Sequence, residues 1–423
     1  MKKSIYIALF VGCLCNLSTI KSFALVHPVS KIFTHAELGE ELPGGRTTVN
    51  KKRNAHSFSQ SSANMKFLRK LDFSLGNAMF RKLWIASPSS TLASDGLGPM
   101  FNAPSCQRCH LKDGRGHPPK ANFPNDNAIS MVMRLSIPPQ NYAQSMALKS
   151  GQVGFIAEPI YGGQLQDLAI TGLKSEGKIH IEYEEQIIHL AGSEQVSLCH
   201  PTYSISHANY GEQHPQMMIS VRVAPPMIGL GLLEAISAND TLSLTDPEDI
   251  NEDGISGKAN EVWDMRKKSS VLGRFGWKAG QPNLNQQNSD AFSNDMGLAS
   301  LMFRRLSGDC TETQVGCIKA PHGGSPQHDH VEVGHEAMEL VNFYSRNLAV
   351  PKRHKVNTSQ VLAGKKLFYQ SGCTACHHPS YTTSKEAAVE QAGQRIWPYT
   401  DLLLHDMGEG LADYRPEFKA TGF

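Results

Sequence analysis

Ser105-Cys106-Gln107-Arg108-Cys109-His110 decides how the rest of the chain is read. Cys-x-x-Cys-His is the attachment pattern of a c-type haem: two sulfurs add to the porphyrin vinyls and the adjoining imidazole reaches the iron. The same order returns at Cys373-Thr374-Ala375-Cys376-His377. A zinc knuckle or a thiol-redox pair uses the same cysteine spacing. Neither needs a histidine at the same offset twice. The repetition predicts two covalently bound haems. Cys106, Cys109, Cys373 and Cys376 are the expected attachment points, and His110 and His377 the axial ligands.

The 423 residues are enough for two or three domains with a sizeable core. The chain is 40% hydrophobic and 19% charged, which is a globular balance. Lys+Arg 41 against Asp+Glu 39 gives no basic surplus, so no nucleic-acid partner is expected. Lys2 and Lys3, then the apolar run Ile5 to Leu17, then Ser22-Phe23-Ala24, read as a secretory signal peptide over residues 1–24. The apolar run is too short for a membrane helix, so no span is expected in the mature form. Phe10-Val11-Gly12-Cys13 is a weak lipobox, and a lipoprotein is the alternative. The expected location is periplasmic or secreted, which suits covalent haem and permits a disulfide.

Residues 25–62, broken by Pro43-Gly44-Gly45 and by Ser59 to Ser62, predict a flexible N-terminal segment. A first haem domain is expected over 63–345. The apolar spacing from Asn64 to Ser87 predicts one or two amphipathic helices there. Alternation in Lys178–Leu190, Leu198–Ile205 and Met217–Val223 predicts an antiparallel β insertion over about 152–223. Met227 to Ser237 then reads as a helix. Pro351 marks a boundary, and 346–423 reads as a second cytochrome c-like haem domain. In it Ser359 caps a helix that delivers the second pentad. The fold class expected is mainly α: two cytochrome c-like haem domains, with the β insertion in the first.

Several smaller patterns carry chemistry. Asp249-Ile250-Asn251-Glu252-Asp253-Gly254 has the order of a calcium loop, in which Asp249, Asn251 and Asp253 would converge on one cation. The glutamate expected at the twelfth position is absent; Asn260 stands there, with Glu261 one residue late. A plain Asp/Gly turn is the competing reading. Cys310 and Cys317 suit a disulfide, which leaves Cys199 as a buried thiol. His322, His328, His330 and His335 read as an exposed polar loop rather than a metal cluster. Arg115 is either a partner for a haem propionate or a solvated turn residue. His378 is too near His377 to reach the opposite face of the same iron. His405 and Met407 are the later candidates, with Met407 the default sixth ligand.

From about Leu97 to the end, the chain resembles the dihaem c-type oxidoreductase family related to bacterial dihaem cytochrome c peroxidases. The resemblance rests on Gly98-Pro99-Met100-Phe101-Asn102-Ala103 leading into the first pentad, Tyr161-Gly162-Gly163-Gln164-Leu165 and Arg222-Val223-Ala224-Pro225-Pro226. Gly229 to Ala235, Asp253 to Gly257, Gly273-Arg274-Phe275-Gly276-Trp277-Lys278-Ala279, Pro398 to Asp401 and Leu402 to Gly408 extend it. It implies peroxide chemistry at the N-terminal haem and electron delivery through the C-terminal one. It implies catalytic roles for Trp277, Gln287 and Asp295, although Asp295 falls about two residues short of the family's spacing. His214 stands near the offset of the relatives' removable distal histidine. Family members continue past Leu-His-Asp-Met-Gly, so the second domain is expected to be truncated at Phe423. The expected function is a periplasmic peroxidase-like oxidoreductase. It would take electrons from a small soluble donor, such as a monohaem cytochrome or a cupredoxin, and reduce a small oxidant such as hydrogen peroxide. The alternative is a dihaem electron-transfer protein without catalysis.

Overall fold

The computed structural model describes residues 26–91 and 94–420. The expected signal peptide, Cys13 included, lies outside them. The core is built on a helix pair, Arg69–Arg81 against His335–Arg346. Met338, Val341 and Tyr344 recur at helical spacing and form the buried stripe of the second helix. Phe73, Gly76 and Phe80 answer from the first. Gly76 is required by proximity, because a Cβ there would run into Leu340 O and lie 2.7 Å from Tyr344 Cβ. A third helix, Leu284–Met296, lies beside the pair and buries Phe292 and Met296 in the same core. The Asn283 side chain caps its start by accepting from Gln286 N–H at 2.9 Å. Gly297 ends it in the left-handed conformation, φ 65°.

The mainly α expectation is overturned. The chain is only 24% helical, with 20% strand in many small antiparallel sheets. The haem pentads imply cytochrome-like helices everywhere outside the β insertion at about 152–223. The long stretch between the first pentad and Leu284 instead runs mostly in turns and two-stranded ribbons, with only the short helices Tyr142–Lys149, Leu230–Glu234 and Ala238–Leu242, as a chain with 36 Gly and 23 Pro readily does. Met218–Val223 does not join the ribbon that precedes it. It pairs with Met131–Ser136. Met131, Met133 and Leu135 face a second core, and Arg134 and Arg222 share the opposite face. The predicted helix 227–237 shrinks to Leu230–Glu234, because Pro225-Pro226 and a left-handed Gly229 delay its start.

The ribbon itself, Lys178–His189 with Gln195–Ser206, packs at its base through Ile179, Ile181 and Tyr203. Its far half stands in solvent. Cys199 is therefore exposed, not buried as expected, opposite Glu185.

Residues 26–62 contain little regular structure and run as a strap between the two halves. Val49 N–H donates to Val350 O at 3.1 Å, and Ser62 N–H to Asn347 O at 2.9 Å. Glu40, buried, receives Lys365 Nζ at 2.7 Å and Arg353 Nη1 at 2.9 Å. Lys365 belongs to the helix Ser359–Gln370, which leads into the second pentad. Ser359 is the first helical residue and Thr358 the cap. Leu404–His405 pairs with Gly257–Lys258, tying the second unit to the first. The last residues go further: Arg415, Glu417 and Phe418 return to the first pentad.

Candidate functional site

Cys106–Cys109 forms a single helical turn, with Ser105 before it in extended conformation. His110 ends the turn. Its Nδ1 donates to Pro225 O at 2.8 Å, which keeps the proton on Nδ1 and leaves Nε2 with its lone pair. Burial holds its pKa below the usual imidazole range, so the ring is neutral. Burial also pushes the Cys106 thiol up to about 12, with the nearby Asp295 adding to the shift, and raises Cys109 as well. Asp113, just beyond, locks this turn to the helix pair: Tyr344 O–H donates to it at 2.7 Å, and Ser59 O–H donates to its other oxygen.

Cys106, Cys109 and His110 line one side of a cavity of about 360 Å³. That is within the range of small-ligand and cofactor pockets. Phe80, Met227, Leu230 and Phe292 make its apolar wall. Trp277, Gln287 and Asp295 all reach the same cavity, so the three residues implied by the resemblance meet there. Trp277 is 53% exposed at the rim; its indole N–H donates to Val223 O at 2.9 Å, and the Arg115 guanidinium lies 5.5 Å from the ring centroid. Gln287 Oε1 is buried without a hydrogen-bond partner. Asp295 accepts from Gln164 Nε2 at 2.9 Å, and Gln164 in turn donates to Asn102 Oδ1 at 2.6 Å. Asn102 Nδ2 donates to the buried Asp167 at 2.9 Å, whose carboxyl is pushed by burial up to about 7.

The opposite wall carries charges that the sequence did not single out as a set. Arg134 and Arg222 come from the paired strands, and Arg415 from the returning tail. Arg222 lies 3.5 Å from Asp413 and 3.4 Å from Glu417. Arg415 lies 3.3 Å from Glu417, with its guanidinium 3.9 Å from the Phe155 ring centroid. Burial lowers Arg415 to about 10. These residues are far apart in sequence, and no local pattern links them.

A covalent haem fits this first site on the structure's own terms. Two thiols and a lone-pair nitrogen face a cavity of suitable size, which also contains an orphaned amide oxygen. The second pentad repeats the ligand arrangement. His377 Nδ1 donates to Tyr399 O at 3.0 Å, again leaving Nε2, and Phe368 packs against the ring at 5.8 Å between centroids. Its surroundings are open: His377 is exposed and Cys373 and Cys376 are half-buried.

The other expected site residues are held as follows, with Asp401 next to the second pentad through its N–H to Cys376 O at 3.1 Å. Met407 is 62% exposed. His405 Nε2 donates to Asp401 Oδ2 at 2.7 Å, and that carboxylate raises its pKa. His214 accepts from Gln216 N–H in a surface turn and is not among the cavity's lining residues. In the Asp249–Gly254 loop, the Asp249 carboxylate accepts from the backbone N–H groups of Asp253 and Gly254. Among the described residues, no group of three or more His, Cys, Asp or Glu side chains is placed to hold a metal ion. Cys310 and Cys317 are joined as a disulfide, with their Cα atoms 6.1 Å apart.

No curated protein and no solved structure matches the chain. A family profile described as "Di-haem oxidoreductase, putative peroxidase" matches residues 35–423. That span takes in both pentads, the cavity and the returning tail. The chain belongs to the di-haem oxidoreductase family.

Proposed function

We propose that the protein is an exported c-type dihaem oxidoreductase of peroxidase type. It reduces a small oxidant such as hydrogen peroxide at the first pentad. Electrons enter through the second pentad from a small soluble donor such as a monohaem cytochrome or a cupredoxin. The observation that carries this reading is the contrast between two histidines held in the same way, each by a backbone carbonyl on Nδ1. Both histidines present a free Nε2, but only His110 looks into a cavity that also holds Trp277, Gln287 and Asp295.

When bound, the haems supply one-electron redox chemistry at iron. The chain's own groups do the rest. Pro225 O and Tyr399 O fix the two imidazole tautomers. Phe80, Met227 and Phe292 limit water beside the first pentad, which strengthens electrostatic interactions there. The Gln287 amide, whose Oε1 has no partner, can orient the entering oxidant, and the Asp295 carboxylate, held by Gln164 Nε2, fixes that wall of the cavity. At the second pentad, the exposed His377 edge offers a soluble donor short access.

The test is a pyridine haemochrome assay with intact mass on the exported protein, followed by peroxide addition to the half-reduced form. Two haems, a spectral response and subsequent donor oxidation are expected. A haem-replete protein inert to peroxide is an electron carrier instead. A colourless protein with the mass of bare polypeptide ends the dihaem reading.

A further inference from the structure

The helix Leu284–Met296 presents two carboxylates to the cavity, and they are held differently. Asp295 is engaged: one oxygen accepts from Gln164 Nε2 at 2.9 Å, and its backbone carbonyl accepts from Asn102 N–H at 2.8 Å and Ala103 N–H at 3.1 Å. It thereby fixes the loop that enters the first pentad. Asp290 sits on the same helix face as Gln287 and Asn294, three residues after one and four before the other. Its Oδ1 accepts from Asn294 Nδ2 at 2.8 Å. Its Oδ2 has Arg134 Nη2 at 3.7 Å, beyond hydrogen-bond reach, and among the described residues no hydrogen bond is made to it.

We propose that Asp290 is the proton acceptor of the first cavity, and that Asp295 is a positioning residue. The step is HX + Asp290–COO⁻ → X⁻ + Asp290–COOH, where HX is a small weak acid entering the cavity, such as hydrogen peroxide or hydrogen cyanide. Gln287, whose Oε1 has no partner, lies one turn away on the same face and can hold the entering X–H. The groups that face Asp290 are Arg134 from the strand Met131–Ser136, Asp295 from its own helix, Glu417 from the tail and Asp309 from the loop before the disulfide. Burial and the neighbouring acids push its pKa up to about 6, against the pull of Arg134, which places its proton exchange near neutral pH. Asp290 was not singled out in the sequence, because nothing local distinguishes it from an ordinary helix-surface acid.

This proposal rests on the first pentad binding haem. Cyanide binding to the ferric holoprotein tests it without relying on turnover, since hydrogen cyanide must lose its proton to bind. The association rate should inflect near pH 6 in wild type. Asp290→Asn should remove the inflection and slow binding above pH 7 on the order of 10²-fold. Asp290→Glu should restore an inflection, which separates lost chemistry from lost folding. Asp295→Asn should keep the wild-type inflection. Asp290→Asn retaining it, Asp295→Asn abolishing it, or a ferric wild type that binds no cyanide between pH 5 and 8 each overturns the proposal. Haem content measured on every sample keeps the two readings apart. A haem-free wild type breaks the dihaem reading, whereas haem-replete variants with identical pH profiles break only the role of Asp290.

Discussion

At the first pentad, helices, a strand pair and the returning tail close over the thiols and the imidazole. At the second, the same five-residue order lies close to solvent, with His377 exposed. Each turn finds a backbone carbonyl for its histidine Nδ1, Pro225 O in one and Tyr399 O in the other. The lesson is a division of labour. The local sequence sets the ligand and its tautomer. Enclosure, and with it the polarity and proton supply of the site, comes from segments remote in the chain.

Four experiments can break or sharpen that contrast. The largest effect is expected from removing the attachment thiols. Cys106→Ala/Cys109→Ala and Cys373→Ala/Cys376→Ala should each lose one haem by mass. Peroxide turnover should fall to background in both, yet the peroxide-induced spectral change should survive only in the second double variant.

Next is Lys365→Met, which tests whether the strap and the second unit are held by their buried ion pair. Glu40 and Lys365 side chains are 2% and 4% exposed, so removing one partner should cost about 3 kcal/mol, read as a lower urea midpoint. Little or no loss would show that Arg353 satisfies Glu40 alone.

A comparable or smaller effect belongs to Asp290, and its sign depends on pH. Its folded pKa is raised from 3.8 to about 6, so the folded state binds its proton more tightly than the unfolded chain does. The resulting stabilisation is full below about pH 4 and is lost as pH rises through about 6. At pH 7 Asp290→Asn should be more stable than wild type by at most about 3 kcal/mol, and at pH 4 the two should converge. Urea unfolding at both pH values checks this.

The smallest effect is expected at Met407. Met407→Leu should change stability by less than about 0.5 kcal/mol and leave the haem spectra unchanged, because the side chain is exposed. Loss of a methionine–iron charge-transfer band in the variant would instead make Met407 a ligand of the second haem.

What could be read in advance follows the same division. The pentads were legible as motifs because each lies within a short stretch of sequence; Trp277, Gln287 and Asp295 came only from the family resemblance, and the fold brings them to one cavity. The strands Lys178–His189 and Gln195–Ser206 were legible from alternation. The overall class was not, because haem motifs are silent about the turns and two-stranded sheets that surround them. Arg134, Arg222 and Arg415 were not legible as a set either, since only strand register and the path of the tail bring them together. Cys199 misled in the other direction. Its β pattern was read correctly, but pattern alone does not say that the ribbon leaves the core beyond Ile181 and Tyr203.

The placement of Arg415, Glu417 and Phe418 at the first cavity has a consequence for assembly. During synthesis the second pentad exists before the pocket around the first is finished. That pocket is complete only once residues 415–418 have folded back onto it, so Cys106 and Cys109 are more accessible before that segment docks than after. Residues 415–418 thus act as a latch for a chamber whose floor lies about three hundred positions earlier in the chain.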